Sequence, residues 1–201
     1  MNATQEKKDF AQMSDLELVQ QTLKDQQAFY WIMKRYETRL MHFIKRISNV
    51  DYHTAEDILQ EVYIKIFKNL NGFDQKMKFS SWIYRIAHNE TISHYRKMKA
   101  RAETVSLEND DAKGLIAILS DSFDFKAELN SKLVAEKVQK IIYSMPQKYN
   151  EVLILRYMEE KDYDEIADIL KKPSGTVATL INRAKEYFKN AAKKQNLTNL
   201  M

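Results

Sequence analysis

Apolar residues recur along most of this chain at three- and four-residue spacing, the pattern of helices with one buried face. The first run opens at Ser14 or Asp15 and carries Leu16, Leu18, Val19 and Leu23. A longer one, from about Gln26 to Ile47, repeats Phe29, Ile32, Met33, Tyr36, Leu40, Phe43, Ile44 and Ile47. Asn49 to His53 breaks the rhythm. Thr54, with Asp57 three residues on, has the spacing of an N-terminal cap for a third helix reaching about Asn69. Asn71-Gly72 is a turn signal, and Ser80 is placed to cap a fourth helix running to about Lys99. Beyond Arg101 the rhythm fails. The apolar patch from Leu115 to Leu119 is too short to form a core, so residues 101–131 are expected to be a flexible linker with no more than a transient helical turn. Periodicity returns near Lys132, with one helix to about Ser144 interrupted at Pro146 and another over about Gln147 to Glu159. A short helix over Tyr163 to Leu170 and a last one from Gly175 to about Lys193 follow.

Composition sharpens this into an all-α prediction. Three glycines and two prolines in 201 residues leave too little punctuation for strands joined by turns. With 44% hydrophobic and 30% charged residues the chain is not disordered by composition. No apolar run approaches the roughly 18–20 residues needed to span a bilayer, and Met1 to Met13 has no signal-type apolar stretch. There is no cysteine, and His42, His53, His88 and His94 are not paired with acids at metal-ligand spacing. The expectation is a cytoplasmic protein with no membrane insertion, no metal and no cofactor.

Charge is distributed unevenly. From Lys76 to Arg101 seven Lys/Arg face one acid; from Ser174 onward five face one; between Arg101 and Ser131 three face seven. Two basic poles around an acidic middle suggest two contacts with a polyanion, against the plainer reading of solvated helix surface.

On the third helix, steps of about 100° place Ile58, Leu59, Val62, Tyr63, Ile66, Phe67 and Leu70 on one half. Asp57, Gln60, Glu61 and Lys68 fall on the other, around Ile64. Asp57 and Glu61 lie one turn apart, where like charges cost a few tenths of a kcal/mol. Such a face is either solvated surface near a helix N-terminus or a docking site for a basic partner. Nothing nearby supplies a nucleophile or metal for acid–base chemistry.

The fourth helix buries Trp82, Ile83, Ile86 and Ala87 on one stripe. A second stripe holds Arg85, Asn89, Arg96 and Lys99, with His88 beside it and Tyr84, Thr91 and Tyr95 on the next strip. Phe73, Lys76, Lys78 and Phe79 stand just upstream, in or beside a loop. Trp82 and Phe79 are either core or stacking residues; for Trp82 the core is the expectation. Cations interleaved with rings suit a separated nucleic-acid strand, the cations following phosphates and the rings stacking on unpaired bases. Extracting a base from a duplex costs a few kcal/mol, so a melting duplex is the natural target.

Near the C-terminus, Asp162 and Glu165 have capping-box spacing before Ile166, Ala167, Ile169 and Leu170. Pro173 ends that helix and Ser174 can cap the next. Two short helices joined so tightly make a helix-turn-helix, whose second helix enters the major groove. Ser174, Thr176, Thr179, Asn182 and Arg183 are candidates to face the groove, with Arg183 or Lys185 on phosphates, and Val177, Leu180, Ile181 and Ala184 turn inward.

Together these stretches resemble the sigma-70 family of RNA polymerase sigma factors, in particular its extracytoplasmic-function (ECF) subfamily. The matching residues are Ala55-Glu56-Asp57-Ile58 with Gln60-Glu61-Val62-Tyr63, and Phe79 with Trp82-Ile83, Ile86-Ala87-His88-Asn89 and Arg96-Lys97. They continue in Met145-Pro146 with Glu151-Val152-Leu153 and Leu155-Arg156-Tyr157, in Tyr163 with Glu165-Ile166-Ala167, and in Gly175-Thr176-Val177 with Asn182-Arg183-Ala184. The resemblance implies two small helical domains, a four-helix region 2 over 14–100 and a helix-turn-helix region 4 over 132–194, joined by a flexible acidic linker over 101–131. It implies a sigma factor that binds core polymerase and directs promoter-specific initiation, not an enzyme. Asp57, Gln60 and Glu61 would grip the coiled coil of the polymerase's largest subunit. Asn71, Phe73, Lys76, Lys78, Arg85, His88, Asn89, Arg96 and Lys97 would melt and read the −10 promoter element as a separated strand. Ser174, Gly175, Thr176, Thr179, Asn182, Arg183 and Lys185 would read the −35 element as duplex. The linker would thread the RNA exit path, the polymerase flap would be a second contact, and an anti-sigma factor is a common partner in the family.

The chain departs from the family pattern at Ser93, where Asp is usual, at Ala178 and Leu180, where cations are usual, and at Lys171, where glycine is common. Two missing cations should weaken −35 phosphate anchoring and its salt dependence. Lys171 should strain the end of its helix. A DNA-binding regulator that never touches polymerase, and an adaptor that binds polymerase without opening promoters, are the competing functions.

Overall fold

The computed structural model describes residues 10–105 and 129–194, and every regular element among them is helical. The expected linker falls mostly outside the described residues, as does the Leu115–Leu119 patch. Its two ends are helical: the helix beginning at Phe79 runs on to Val105, and the next begins at Leu129.

Contacts divide the chain into two compact units, Met1–Tyr95 with Ala167–Lys171, and Arg96–Ile166 with Lys172–Met201. The first is built on α1 (Asp15–Lys24), α2 (Phe29–Ser48), α3 (Tyr52–Asn69) and most of α4 (Phe79–Val105). Ser14 caps α1 through a full capping box: Glu17 N–H donates to Ser14 Oγ at 3.3 Å, and Ser14 N–H donates to the Glu17 carboxylate at 2.7 Å. The side-chain and backbone hydrogen bonds from Ser14 hold the Glu17 carboxyl below its usual range. A short 3₁₀ turn, Gln26–Ala28, leads into α2. Asn49 ends α2 in the left-handed conformation, at φ 53°.

The cap of α3 is not Thr54 with Asp57. Asp51 holds that position, accepting from Thr54 N–H at 3.0 Å and Thr54 Oγ1 at 2.8 Å, and the helix starts at Tyr52. Aspartate is the better cap, and it satisfies an amide that would otherwise lack a partner in the first turn. Those bonds from Thr54 lower the Asp51 carboxyl's pKa. Ser80 is likewise not a cap. The Lys78 carbonyl accepts from Trp82 N–H at 3.1 Å, so the fourth helix begins at Phe79 and Ser80 lies within its first turn.

The core of this unit joins Leu18 of α1, Ile32, Leu40, Phe43 and Ile44 of α2, Ile58, Val62 and Ile66 of α3, and Ile83 and Ala87 of α4, all buried. Tyr84 is buried too, its ring centroid 4.9 Å from that of Phe43. A polar staple fixes the start of the chain to α2. Arg35 donates to the Asp15 carboxylate at 2.8 Å and to the Met13 carbonyl at 2.6 Å, while the Tyr36 hydroxyl donates to Asp15 Oδ2.

Burial, and then the bond to Asp15, push the Tyr36 hydroxyl well above the usual tyrosine range, and burial does the same to Tyr63. Both stay protonated in the folded chain while the unfolded chain ionises above pH ~10. Unfolding free energy should therefore hold up to about pH 10 and fall as pH rises further. Denaturant titrations from pH 8 to 11 should show this decline, and Tyr36→Phe should make it shallower while costing roughly 1–3 kcal/mol at neutral pH. An unchanged pH slope in the variant would refute the assignment.

The second unit contains α5 (Leu129–Ser144), α6 (Gln147–Leu153), a π-helical turn (Ile154–Met158), part of α7 (Tyr163–Leu170) and α8 (Ser174–Lys194). α8 packs on α5, where Ile141 and Ala192 are buried beside Phe188, and on α6. Buried Asn150 donates to the Ile142 carbonyl at 3.0 Å, tying α6 to α5 across Pro146.

Candidate functional site

On α3, Asp57, Gln60 and Glu61 are exposed, as the sequence pattern predicts, and Ile64 joins them with 45% of its surface open. Three polar groups and one aliphatic side chain thus share a face with no part in the core. Asp57 lies beyond the first turn of α3, where a helix dipole no longer accounts for acids.

α3 leaves through a 3₁₀ turn, Leu70–Gly72, in which Asn71 is exposed. The next stretch hangs on Asp74: Lys76 N–H donates to its carboxylate at 3.0 Å, and Met77 N–H donates to its carbonyl at 3.2 Å. That leaves Lys76 and Lys78 exposed. Phe73 departs from expectation. It is buried, with its ring centroid 5.1 Å from Phe79 and 5.3 Å from Trp82, so its faces are covered and it serves as floor beneath the loop rather than a stacking platform. Phe79 and Trp82 stack at 5.6 Å, and Trp82 is buried, as its stripe predicts. Tyr84 and Thr91 are buried, leaving Tyr95 as the exposed ring of the strip beside the basic stripe.

Arg85, Asn89 and Arg96 occupy one stripe of α4; Asn89, Arg96 and Lys97 are exposed, and Arg85 and His88 are half-buried. Arg85 donates to the Met77 sulfur at 3.3 Å, linking the helix to the loop. Arg85 and Asn89 also line a cavity of about 330 Å³ between α3, the 3₁₀ turn and α4. Its other walls are Lys65, Asn69, Gly72, Trp82, Ile86 and Glu90, of which sequence patterning weighs only Trp82 as a stacking residue. Their positions fall on two helices and the turn after the first, so only the packing of these elements brings them together. Lys65 Nζ and Glu90 Oε1 pair at 2.5 Å across it. Trp82 and Ile86, two cations, one acid and two amides thus line an open hollow with room for a flat heterocycle carrying donors and acceptors on its edge.

In the helix-turn-helix, the capping box on α7 forms as the spacing predicts: Glu165 N–H donates to Asp162 Oδ1 at 2.7 Å and Asp162 N–H to Glu165 Oε2 at 3.1 Å. Lys171 ends α7 at φ 51°, the left-handed strain its replacement of glycine implies. Ser174 is not the cap of α8. The Pro173 carbonyl accepts from Thr176 and Val177 N–H groups, and the Ser174 hydroxyl instead donates to Asp164 Oδ1 at 2.8 Å, clasping the two helices. Ser174, Gly175, Thr176, Thr179, Asn182, Arg183 and Lys185 are all exposed, whereas Val177, Ile181 and Ala184 are buried and Leu180 half-buried. Thr179 donates its hydroxyl proton to the Gly175 carbonyl at 2.9 Å, so outwardly it presents an acceptor and a methyl group. Lys185 lies 5.7 Å from the Tyr157 ring centroid, and hydrogen bonding to Tyr157 holds its amine above the usual lysine range. Among the described residues there is no cluster of His, Asp and Glu that could hold a metal ion, and no helix long and apolar enough to cross a membrane.

Comparisons with known proteins place these surfaces in a family. The Sigma-70 region 2 model matches residues 32–101, and the Sigma-70 region 4 model matches residues 135–187. The ECF RNA polymerase sigma factor SigW of Bacillus subtilis is 37% identical over 166 residues, covering 81% of this chain and 87% of the relative. The ECF RNA polymerase sigma-E factor of Escherichia coli is 28% identical, covering 89% and 94%. Among solved structures, CnrH in complex with the cytosolic domain of CnrY has a TM-score of 0.65 at 18% identity, covering 90% of this chain and 97% of that one. The sigma factor RpoE of Bartonella quintana, in complex with the anti-sigma factor NepR, has a TM-score of 0.60 at 21% identity, covering 82% and 96%. The fold is thus that of two-region sigma factors, and the chain belongs to the sigma-70 family, among its ECF RNA polymerase sigma factors.

Proposed function

We propose that this chain binds core RNA polymerase and directs promoter-specific initiation, with residues 14–100 acting as region 2 and 132–194 as region 4. Asp57, Gln60 and Glu61, around Ile64, dock on the coiled coil of the largest polymerase subunit. Asn71, Lys76, Lys78, Arg96 and Lys97 follow the phosphates of the separated −10 strand. Arg85 and Asn89, with His88 beside them, present the cavity that receives one unpaired base. Phe73 supports that surface from below. The exposed face of α8 reads the −35 element as duplex through Thr176, Thr179, Asn182 and Arg183, with Lys185 on a phosphate. An anti-sigma partner of the kind bound to the Bartonella protein is part of the same reading.

The observation that carries it is the cavity beside the basic stripe of α4. A plain duplex-binding regulator has no use for a base-sized hollow, because a paired base cannot enter it. Run-off transcription with purified core polymerase over a promoter library tests the reading. Initiated transcripts from a restricted set of promoters are expected. No transcript despite co-elution with core would leave an adaptor, and neither transcript nor co-elution would leave a DNA-binding regulator.

A further inference from the structure

Tyr157 is the exposed residue of the π-helical turn, with 56% of its surface open. A ring so open adds little to the core, and what it displays is its phenol. The turn itself is widened: Glu159 N–H donates to the Ile154 carbonyl, five residues back, at 3.0 Å, and turns of this kind recur at functional sites. Lys185 of α8 meets the phenol from a second element. Its Nζ stands 5.7 Å from the ring centroid and hydrogen-bonds the hydroxyl. An ammonium has only donors, so the phenol oxygen is the acceptor and the phenol's own proton remains to be donated outward. Arg156 is close enough to act against the charge on that amine. Two cations and an outward O–H gathered on one exposed patch are an arrangement that an anion from outside relieves.

The rest of α8 leaves work for such a site. From Pro173 to Asn182 the chain carries no charged side chain. Backbone phosphates supply a large share of duplex affinity, so holding them falls to the flanks of that stretch. Resting on the reading that α8 lies on the −35 duplex, we infer that Tyr157 and Lys185 form one site for a single backbone phosphate of that duplex, the lysine supplying charge and the phenol a neutral O–H donor. The contact carries no sequence information; it fixes the register of α8 along the groove.

The test uses the full chain with core polymerase on a promoter recovered from the run-off library, either intact or cut just downstream of the −35 element. Dissociation constants are measured between about 50 and 200 mM salt. On the intact template Tyr157→Phe should weaken binding about tenfold at every salt concentration, because a phenol displaces no counterion. Lys185→Gln should instead lower the slope of log affinity against log salt by about one. On the cut template both variants should match wild type. Replacing −35 phosphates one at a time with uncharged methylphosphonate should shrink both penalties together at one position. If wild type binds the two templates alike, the −35 reading fails and this inference with it. If wild type needs the −35 duplex but Tyr157→Phe binds as well as wild type, the reading stands and the phenol is no anchor. A lowered salt slope in Tyr157→Phe would show that the phenol only holds the lysine, and penalties that shrink at different phosphates would show two separate contacts. An equal loss on the cut template would place the pair against the polymerase instead of DNA. Should Tyr157→Phe lose its helical circular dichroism, Tyr157→Leu is scored on the same templates by the same criteria.

Discussion

Changing Asp57 and Glu61 together to alanine should abolish co-elution with core polymerase while leaving the chain folded. Both side chains are exposed and neither packs in the core. Their separation by one turn makes them mutually repulsive, so their removal should relieve a few tenths of a kcal/mol rather than destabilise α3. Against a basic partner the balance reverses. Deleting one member of a desolvated charge pair at an interface costs roughly 2–5 kcal/mol. Even one such pair corresponds to about a thirtyfold loss of affinity, and two take micromolar-range binding out of reach of gel filtration. Asp57→Asn with Glu61→Gln should behave the same way, since charge rather than shape is at issue. Raising the salt should weaken the wild-type complex and leave the variants' residual binding nearly unchanged. Co-elution undiminished at low salt in either double variant would remove the basis for the docking face.

The largest expected effect on folding is at Phe79. Its side chain is 3% exposed, stacks on Trp82, and meets Phe73 and Tyr36 edge-on at 5.1 and 6.2 Å. Phe79→Ala should cost about 3–5 kcal/mol, from lost apolar transfer together with the cavity left behind. That is a large fraction of the roughly 5–15 kcal/mol holding a typical domain. Urea unfolding of the full chain should show the midpoint displaced to lower denaturant, whereas Phe79→Leu should lose less than half as much. Because Phe73 rests on the same ring, the loop carrying Lys76 and Lys78 should lose its floor, and transcription from duplex promoters should fall further than from premelted ones. An unaltered midpoint in Phe79→Ala would show that the aromatic cluster is not structural.

Helix periodicity carried most of the architecture into view, because each helix buries one stripe and the stripe repeats in sequence. The short segment Tyr163–Leu170 was legible to the residue, since the Asp162–Glu165 capping box and Pro173 bracket it. The start of α3 was not. Two capping signals stand three residues apart, and Asp51 prevails over Thr54 once Asn49 turns the chain left-handed, an event with no periodic signature. Ser174 was displaced for a related reason: its hydroxyl has a partner in Asp164, ten residues back on the preceding helix. Phe73 belongs to no helical stripe, so its burial depends on tertiary contacts alone. The cavity was invisible for the same reason. Arg85 and Asn89 declare themselves by charge and spacing, but Lys65, Asn69 and Glu90 join them around one hollow only because α3 and α4 bring them face to face.

The staple between Asp15, Arg35 and Tyr36 bears on how this protein can be shortened. The region 2 family match begins at residue 32, inside α2, yet the guanidinium of Arg35 and the phenol of Tyr36 find their partners at Met13 and Asp15. A fragment cut at the family boundary would strand a half-buried cation and a buried hydroxyl without acceptors and strip Leu18 and Val19 from the core. The smallest piece that keeps its own chemistry intact therefore reaches back past Met13, well outside the stretch by which the family is recognised.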